Sequence, residues 1–134
     1  TTTALSGRVL LVEDDVMVGD FLAARLASWG LEVRLQRDAP AAAAWLDDLS
    51  NTTDLLITDQ TMPQLTGLQL AERAHSRRPD LPIVLVSGNA TAFEPDALAR
   101  GGIAAALPKP IDAERLRSVL RRLLAGTSAI HTGH

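Results

Sequence analysis

The sequence predicts an α/β fold, a doubly wound parallel sheet with helices on both faces. Short apolar runs alternate with segments of helical periodicity along the chain, which is the pattern of a parallel sheet with right-handed crossovers. The runs at 9–12, 55–58 and 83–86 are apolar almost throughout, as strands covered on both faces must be. The run at 31–36 alternates apolar and polar residues, and the run at 104–108 is mostly alanine. We therefore place these last two runs at the edges of the sheet.

The first two helices are predicted from their caps and their apolar faces. Helix one follows Asp15 as N-cap and ends at Gly30. Its buried face is expected to carry Val18, Phe21, Leu22, Leu26 and Trp29. Helix two begins at 38–40, with proline in its first turn. It is expected to bury Ala42, Trp45, Leu46 and Leu49.

The other three helices complete one domain. Helix three is predicted over about 66–78, helix four over 95–100, and helix five after Asp112 as cap. Helix five should bury Leu116, Val119, Leu120, Leu123 and Leu124 and end at Gly126. The predicted organisation is an N-terminal extension at 1–7, a domain at 8–125 and a flexible tail at 126–134. The edge assignments correspond to the flavodoxin-like strand order 2-1-3-4-5.

Composition excludes several classes of function. The 134 residues hold no cysteine, four aromatic side chains and a formal net charge of −3, which disfavours thiolate sites, stacking platforms and attraction to polyanions. No apolar run approaches the roughly 18 residues that span a bilayer. We expect a cytoplasmic chain that itself binds neither nucleic acid nor membrane. It opens on threonine rather than methionine, so we expect a fragment or a processed product.

Polar side chains follow four of the predicted strands, where ligands bind in open α/β sheets. Glu13 and Asp14 follow strand one, Asp59 strand three, Ser87 strand four and Lys109 strand five. Crowded carboxylates repel one another unless a cation offsets them, and Mg²⁺ favours such oxygen ligands. The motifs contain no histidine or cysteine, which argues against zinc. Carboxylates, a hydroxyl and an ammonium at one edge of the sheet together predict magnesium-assisted phosphoryl transfer, with Asp59 as the acceptor of the phosphoryl group.

Each of these residues also has an ordinary structural explanation. Asp14 and Asp15 could cap a helix, Asp59 could start a turn, and Ser87 and Lys109 could be loop residues exposed to solvent. The functional interpretation rests on their occurrence together, in order, each at the end of a predicted strand.

Together these motifs resemble the receiver domains of two-component response regulators, and of the hybrid sensor histidine kinases that carry one. The resemblance covers about residues 8 to 125. The matching features are Glu13-Asp14, Asp59-x-x-Met62-Pro63, Gly67 at the start of helix three, Ser87, and Lys109-Pro110.

The resemblance implies a role for each matching residue. Asp59 would be the phosphoacceptor, and Asp14 a direct ligand of Mg²⁺ or Mn²⁺. Glu13 would act mainly through a metal-bound water, and the Thr61 carbonyl would be a further ligand. Ser87 would hydrogen-bond the phosphoryl group and Lys109 would pair with it, while Pro63, Gly67 and Pro110 would be structural. A histidine kinase or phosphotransfer domain would be the donor, and an unidentified partner or tethered domain would receive the output.

The chain departs from the family pattern at Ala106. Many receivers carry tyrosine or phenylalanine three residues before the strand-five lysine, where rotation of the ring reports phosphorylation. We therefore expect the switch to involve Ser87 and the long loop that begins with Gly88 and Asn89. Phe93, in this loop, is interpreted mainly as a core residue.

Two rival functions remain open at this stage. Haloacid-dehalogenase-type phosphatases and phosphotransferases also use an aspartate nucleophile, a lysine and acidic magnesium ligands. They require a second acid two residues after the nucleophile, where this chain has Thr61. The other rival is an interaction module on the same fold that works without phosphorylation. Its signature would be loss of Asp59, an acidic ligand or Lys109, and all are present.

Overall fold

Five strands and five helices alternate in the computed structural model, which describes the backbone of residues 4–89 and 93–132. In chain order the elements are β1 Arg8–Val12, α1 Val16–Ser28, β2 Glu32–Gln36, α2 Ala39–Asp47, β3 Leu55–Asp59, α3 Gly67–Arg77, β4 Ile83–Ser87, α4 Pro95–Arg100, β5 Ile103–Pro108 and α5 Ala113–Thr132. None of the helices among these residues is both long and apolar enough to cross a membrane.

All strand pairs in the sheet are parallel, in the order β2-β1-β3-β4-β5. The predicted fold class, strand order and edge strands are confirmed. Every residue of the central strands β3 and β4 is buried, whereas the edge strand β2 has no fully buried residue. Because all strands point the same way, their carboxyl ends meet at one edge of the sheet.

The apolar core lies in two layers, one on each face of the sheet. Alternate residues of a strand point to opposite faces, so Leu11 joins the layer under α1 and α5, and Leu10 joins the layer under α2 and α3. Leu26 of α1 and Leu120 of α5 are completely buried in the first layer. In the second layer α2 and α3 contribute small alanines, which let both helices approach the sheet closely.

Three helices begin at side-chain caps, and two of these caps, Asp15 and Asp112, are predicted by the sequence. The Asp15 carboxylate accepts the Val18 N–H at 3.0 Å. Thr66 and Gln69 form a reciprocal capping box at the start of α3. The Asp112 carboxylate accepts the Glu114 N–H at 3.0 Å at the start of α5. These caps fix where α1, α3 and α5 leave the loops at the carboxyl edge of the sheet.

Three predictions about helices and one about a loop residue are wrong. Phe21 was expected on the buried face of α1 but is 60% exposed, and Leu49 is 62% exposed because α2 ends at Asp47. Phe93 is half-buried and lies in neither core layer. Helix α5 does not end at Gly126 but continues to Thr132, since one glycine lowers helix propensity without forbidding the helix. Flexibility of the tail stays a prediction, and residues 133–134 lie outside the described part.

Candidate functional site

Four of the predicted site residues converge at the carboxyl edge of the sheet. Glu13 follows β1, Asp59 and Ser87 end β3 and β4, and Lys109 follows β5. Glu13 and Asp59 are only 2% and 6% exposed, and Ser87 is also buried. Burial of two carboxylates and a hydroxyl at the same edge is uncommon for purely structural side chains, because each must be compensated by charge or hydrogen bonds.

The acidic cluster consists of Glu13, Asp14 and Asp59. One carboxylate oxygen from each lies within 4.8 Å of the others. Opposite ligands of Mg²⁺ are about 4.2 Å apart, twice the metal–oxygen distance, so small side-chain movements bring these oxygens to ligand positions. Asp14 is exposed while its two neighbours are buried, which leaves one open side for solvent. A set of three carboxylate oxygens with one side open to solvent therefore fits a hard divalent cation, which binds oxygen ligands and keeps some of its waters.

Lys109 supplies the positive charge of the site. Its Nζ lies 3.1 Å from Asp59 Oδ1 and 3.4 Å from Glu13 Oε1. Partial burial alone would lower the pKa of Lys109, but its hydrogen bond to Asp59 and the charges of Asp59 and Glu13 outweigh burial and raise that pKa above its ordinary value. The ammonium therefore stays charged at neutral pH, beside the predicted phosphoacceptor.

Glu13 is held in place on its other side by the chain that follows it. Its Oε2 accepts the Asp15 N–H at 3.1 Å. Burial raises the pKa of Glu13, and the nearby Asp59 charge adds to that rise, while the Asp15 N–H and Lys109 oppose it. Asp15 itself caps α1 and is absent from the acidic cluster. Of the two adjacent aspartates, Asp15 has the structural role and Asp14 faces the site.

The loop between β3 and α3 is fixed tightly against Asp59. A side chain at Gly67 would place its Cβ 2.3 Å from the Asp59 carbonyl oxygen, so only glycine allows α3 to begin there. Gln60, which sequence reasoning missed, donates its N–H to Val86 and accepts the Leu68 N–H on its side-chain oxygen at 2.8 Å. Nothing in the sequence distinguishes Gln60 from an ordinary loop residue, so these contacts could not be predicted.

Ser87 is engaged within its own loop. Its Oγ accepts the Asn89 N–H at 2.9 Å and donates to the Asn89 carbonyl at 3.3 Å. Its carbonyl accepts the Lys109 N–H at 3.0 Å, which ties the ends of β4 and β5 together. Ser87 ends the strand next to β3, and the conformation of its loop depends on what its hydroxyl bonds. Residues 90–92 of the loop lie outside the described part.

The remaining predicted residues surround this centre. Thr61 and Pro63 are exposed in the β3–α3 loop, and a Cβ at Gly88 would make only an ordinary contact with the Lys109 Cβ, at 3.9 Å. The Lys109–Pro110 peptide bond is cis. Ala106 lies in β5, paired with Leu85 of β4, and is partly buried.

The chain matches a known family over most of its length. The model of the response regulator receiver domain matches residues 9–121. The chain belongs to this family. It is a receiver domain of two-component signal transduction, and the rival haloacid-dehalogenase interpretation has no better support.

Curated relatives of this receiver domain are longer proteins. The transcriptional regulator NtrC of Azospirillum brasilense is 37% identical over 116 residues, which cover 87% of this chain and 24% of NtrC. The response regulator MprA of Mycobacterium bovis (strain BCG / Pasteur 1173P2) is 33% identical over 123 residues, 92% of this chain and 53% of MprA. The chain thus spans about a quarter to a half of these relatives.

Solved structures share the fold. A receiver domain protein from Clostridium thermocellum superposes with a TM-score of 0.84 at 18% identity, covering 92% of this chain and 98% of that one. A CheY-like receiver domain from Methanospirillum hungatei JF-1 also gives 0.84, at 25% identity, covering 91% and 96%. The near-complete coverage of both neighbours agrees with one receiver domain.

Proposed function

We propose that Asp59 accepts a phosphoryl group from a phosphohistidine of a histidine kinase or phosphotransfer domain. The observation that carries this proposal is the contact of Lys109 Nζ with Asp59 Oδ1 at 3.1 Å, beside two further carboxylates at the carboxyl edge of the sheet. A structural aspartate at a strand end needs neither a half-buried lysine partner nor a second buried carboxylate.

In the proposed reaction the Asp59 carboxylate attacks phosphorus. An oxygen–phosphorus bond forms, the phosphorus–nitrogen bond of the donor breaks, and its electron pair leaves with the imidazole nitrogen. Lys109 stays charged and pairs with the phosphoryl oxygens as their negative charge moves onto this chain. Ser87, at the end of the neighbouring strand, supplies a hydroxyl donor to the same group once it leaves Asn89.

Mg²⁺ or Mn²⁺ is the proposed cofactor. Asp14 and Asp59 would hold it directly, Glu13 through water, and the Thr61 carbonyl as a further ligand. A bound divalent ion would offset negative charge on the transferring phosphoryl group. Positioning of the carboxylates by Lys109 and by the Asp15 N–H keeps the ligand oxygens close together before the ion binds.

Signal output is proposed to pass to a tethered domain or a separate partner. NtrC and MprA are both longer than this chain, and one is a DNA-binding regulator by description. For this chain the same arrangement is a proposal, as is its cytoplasmic location. The single domain itself supplies the phosphoacceptor and the surface that changes on phosphorylation.

The test is phosphorylation by acetyl phosphate, a small donor that requires no docking. Wild-type protein with Mg²⁺ should gain the mass of one phosphoryl group, labile to hydroxylamine, as acyl phosphates are. Asp59→Asn should gain none. Asp14→Asn should bind Mg²⁺ weakly in a fluorescence or NMR titration and should react slowly, because a metal ligand is lost.

Asp15→Asn is the matched control, because Asp15 caps α1 and lies outside the acidic cluster. Asparagine is also a good N-cap, so this variant should keep both Mg²⁺ binding and phosphorylation. Label that survives in Asp59→Asn, or an equal loss of Mg²⁺ affinity in Asp15→Asn and Asp14→Asn, would contradict the assignment.

A further inference from the structure

Gln60 connects the end of β3 to the neighbouring strand β4. It lies between Asp59, the proposed phosphoacceptor, and Thr61, whose carbonyl is a proposed metal ligand. Its N–H donates to the Val86 carbonyl at 2.9 Å, which continues the pairing of β3 with β4 by one residue beyond the end of β3. The backbone that joins the two proposed ligands is therefore fixed on the β4 side.

The same residue also binds the first turn of α3. The Gln60 Oε1 accepts the Leu68 N–H at 2.8 Å, and the Gln60 carbonyl accepts the Gly67 N–H at 3.0 Å. The first N–H groups of a helix have no acceptor within the helix, and Gln60 supplies acceptors for two of them. The bond from Leu68 joins residues eight positions apart, so it connects the two ends of the β3–α3 loop.

These two bonds close the β3–α3 loop into a ring that contains residues 61–66. A Cβ at position 67 would lie 2.9 Å from the Gln60 Cα, so α3 begins in direct contact with Gln60. Within the ring Met62 is buried, and Gln64 has a left-handed backbone with φ of 73°. A residue other than glycine keeps that conformation only where surrounding contacts determine it. Protein contacts therefore hold the loop that carries the Thr61 carbonyl.

We propose that Gln60 is a positioning residue for the divalent cation, acting through the backbone on either side of it. The bonds of Gln60 to β4 and α3 restrict where Asp59 and the Thr61 carbonyl lie relative to each other, so less freedom is lost when a cation binds both. Gln60 is not itself a ligand, because its side-chain oxygen already accepts the Leu68 N–H. The inference rests on the proposed function and adds a residue that supports its metal site.

Gln69 provides a matched comparison at the same end of α3. Its Oε1 accepts the Thr66 N–H at 2.9 Å, a bond of the same chemistry as the bond between Gln60 and Leu68. This bond lies within the first turn of α3 and does not involve residues 59–61. Loss of either side-chain acceptor should weaken the start of α3, but only loss of the Gln60 acceptor should affect the metal site.

The experiment compares Gln60→Met with Gln69→Met, since methionine keeps the length of the side chain and removes the acceptor. Both variants should unfold at a lower urea concentration than wild type. Mg²⁺ alone is titrated into ¹⁵N-labelled protein and followed by NMR. The affinity should fall about tenfold in Gln60→Met, the lower end of the effect of residues that orient metal ligands. It should stay near the wild-type value in Gln69→Met.

Gln60→Glu tests whether the acceptor is the feature that matters. Glutamate keeps an oxygen acceptor at that place, and its charge is favourable at a helix N-terminus. Gln69→Glu adds the same charge nearby and measures its general effect on Mg²⁺ affinity. Relative to Gln69→Glu, the Gln60→Glu variant should bind Mg²⁺ as tightly. In metal-free protein, hydrogen exchange of the Leu68 amide should be slow in wild type and in Gln60→Glu, and faster in Gln60→Met.

A milder variant keeps the test decisive if Gln60→Met fails to fold. Gln60→Asn remains polar, but its amide is one methylene shorter and cannot reach the Leu68 N–H without a shift of the loop. It should lower Mg²⁺ affinity and speed exchange of the Leu68 amide, as Gln60→Met does.

The possible failures can be told apart. Wild-type Mg²⁺ affinity in Gln60→Met and Gln60→Asn would overturn the inference alone. An equal loss in Gln60→Met and Gln69→Met, or an affinity in Gln60→Glu as low as in Gln60→Met, would also overturn it, because Gln60 would then only stabilise α3. Failure of wild-type protein to bind Mg²⁺, or of acetyl phosphate to modify Asp59, would instead contradict the proposed function.

Discussion

At the scale of single residues, chemistry and close packing meet at the end of β3. The Asp59 carboxylate pairs with Lys109. A Cβ on residue 67 would lie only 2.3 Å from the backbone carbonyl oxygen of Asp59. A Cβ at Gly88, on the other side of the site, would meet only the Lys109 Cβ at 3.9 Å. A side chain would therefore clash with the backbone at position 67 but not at position 88. The sequence alone does not show this difference, because both glycines are simply loop residues near the site.

Gly67→Ala should lower the free energy of unfolding by about 1–3 kcal/mol, the usual cost of overpacking. The clash is with backbone atoms of residues 59 and 60, so α3 must shift, and the gain in helix propensity of less than about 1 kcal/mol cannot offset it. Phosphorylation by acetyl phosphate should slow, because Asp59 moves with its carbonyl. Urea unfolding and mass spectrometry measure both effects.

Gly88→Ala is the control for this substitution and should leave the free energy of unfolding within about 0.5 kcal/mol of wild type. A loss in Gly88→Ala as large as that in Gly67→Ala would mean that loop entropy, and not the close approach to Asp59, explains the need for glycine.

At the scale of elements, α2 is terminated by arginines from the end of α3. The final carbonyls of a helix lack partners within it. Arg78 donates to the Leu46 carbonyl at 3.0 Å and to the Asp48 carbonyl at 2.9 Å, and Arg77 donates to the Asp47 carbonyl at 2.9 Å. Arg73 forms an exposed ion pair with the Asp47 side chain, and its hydrogen bond to that carboxylate is the main reason that the pKa of Asp47 is lowered.

Arg78→Met should destabilise the protein by about 1–3 kcal/mol, since two carbonyls at the end of α2 lose charged donors while the apolar stem is kept. Arg73→Met loses an exposed pair and should cost clearly less. Thermal and urea unfolding compare the two variants. If Arg73→Met proves the more damaging, the ion pair and not the carbonyl contacts holds α2 to α3.

The sequence predicts helices and strands well where residues close in the chain determine them. It predicts them poorly where contacts with distant residues determine where an element ends. The Asp15 and Asp112 caps and the apolar central strands follow from residues within one or two turns. The end of α2 does not, because it depends on arginines that lie about 30 residues further along the chain. Helical periodicity likewise predicted that Phe21 is buried in the core, but its side chain is exposed and lines a surface groove.

At the scale of the whole molecule, strand order and the position of the site were predictable together. Uniformly apolar strands are expected at the centre of the sheet, and alternating or alanine-rich strands at its edges. With the flavodoxin-like strand order, this pattern brings Glu13 and Asp59 to adjacent strand ends, as the structure shows. The contacts that tune the site were not predictable. The bonds of Lys109 to two carboxylates, the Gln60 contacts and the Ser87–Asn89 turn need side-chain positions that no spacing in the sequence specifies.

Coupling from the site to the rest of the domain is expected to run through β4 and its loop, not through β5. Ser87 Oγ is bonded to Asn89 in this structure, so a phosphoryl group that recruits the hydroxyl must release that turn. Ala106 has no ring to move. With a beryllofluoride phosphate mimic, the largest NMR shifts beyond the acidic cluster should fall on Gly88, Asn89 and the start of α4, with smaller shifts around Ala106.

Ser87→Ala should reduce the loop shifts severalfold and leave Mg²⁺ affinity within about twofold, because a neutral hydroxyl is not among the proposed metal ligands. Ser76→Ala, which removes an exposed hydroxyl of α3, should change neither quantity. Shifts around Ala106 as large as those at Asn89 would place the coupling on β5. Loop shifts that persist in Ser87→Ala would show that the added charge acts through Lys109, whose N–H already joins β5 to the Ser87 carbonyl.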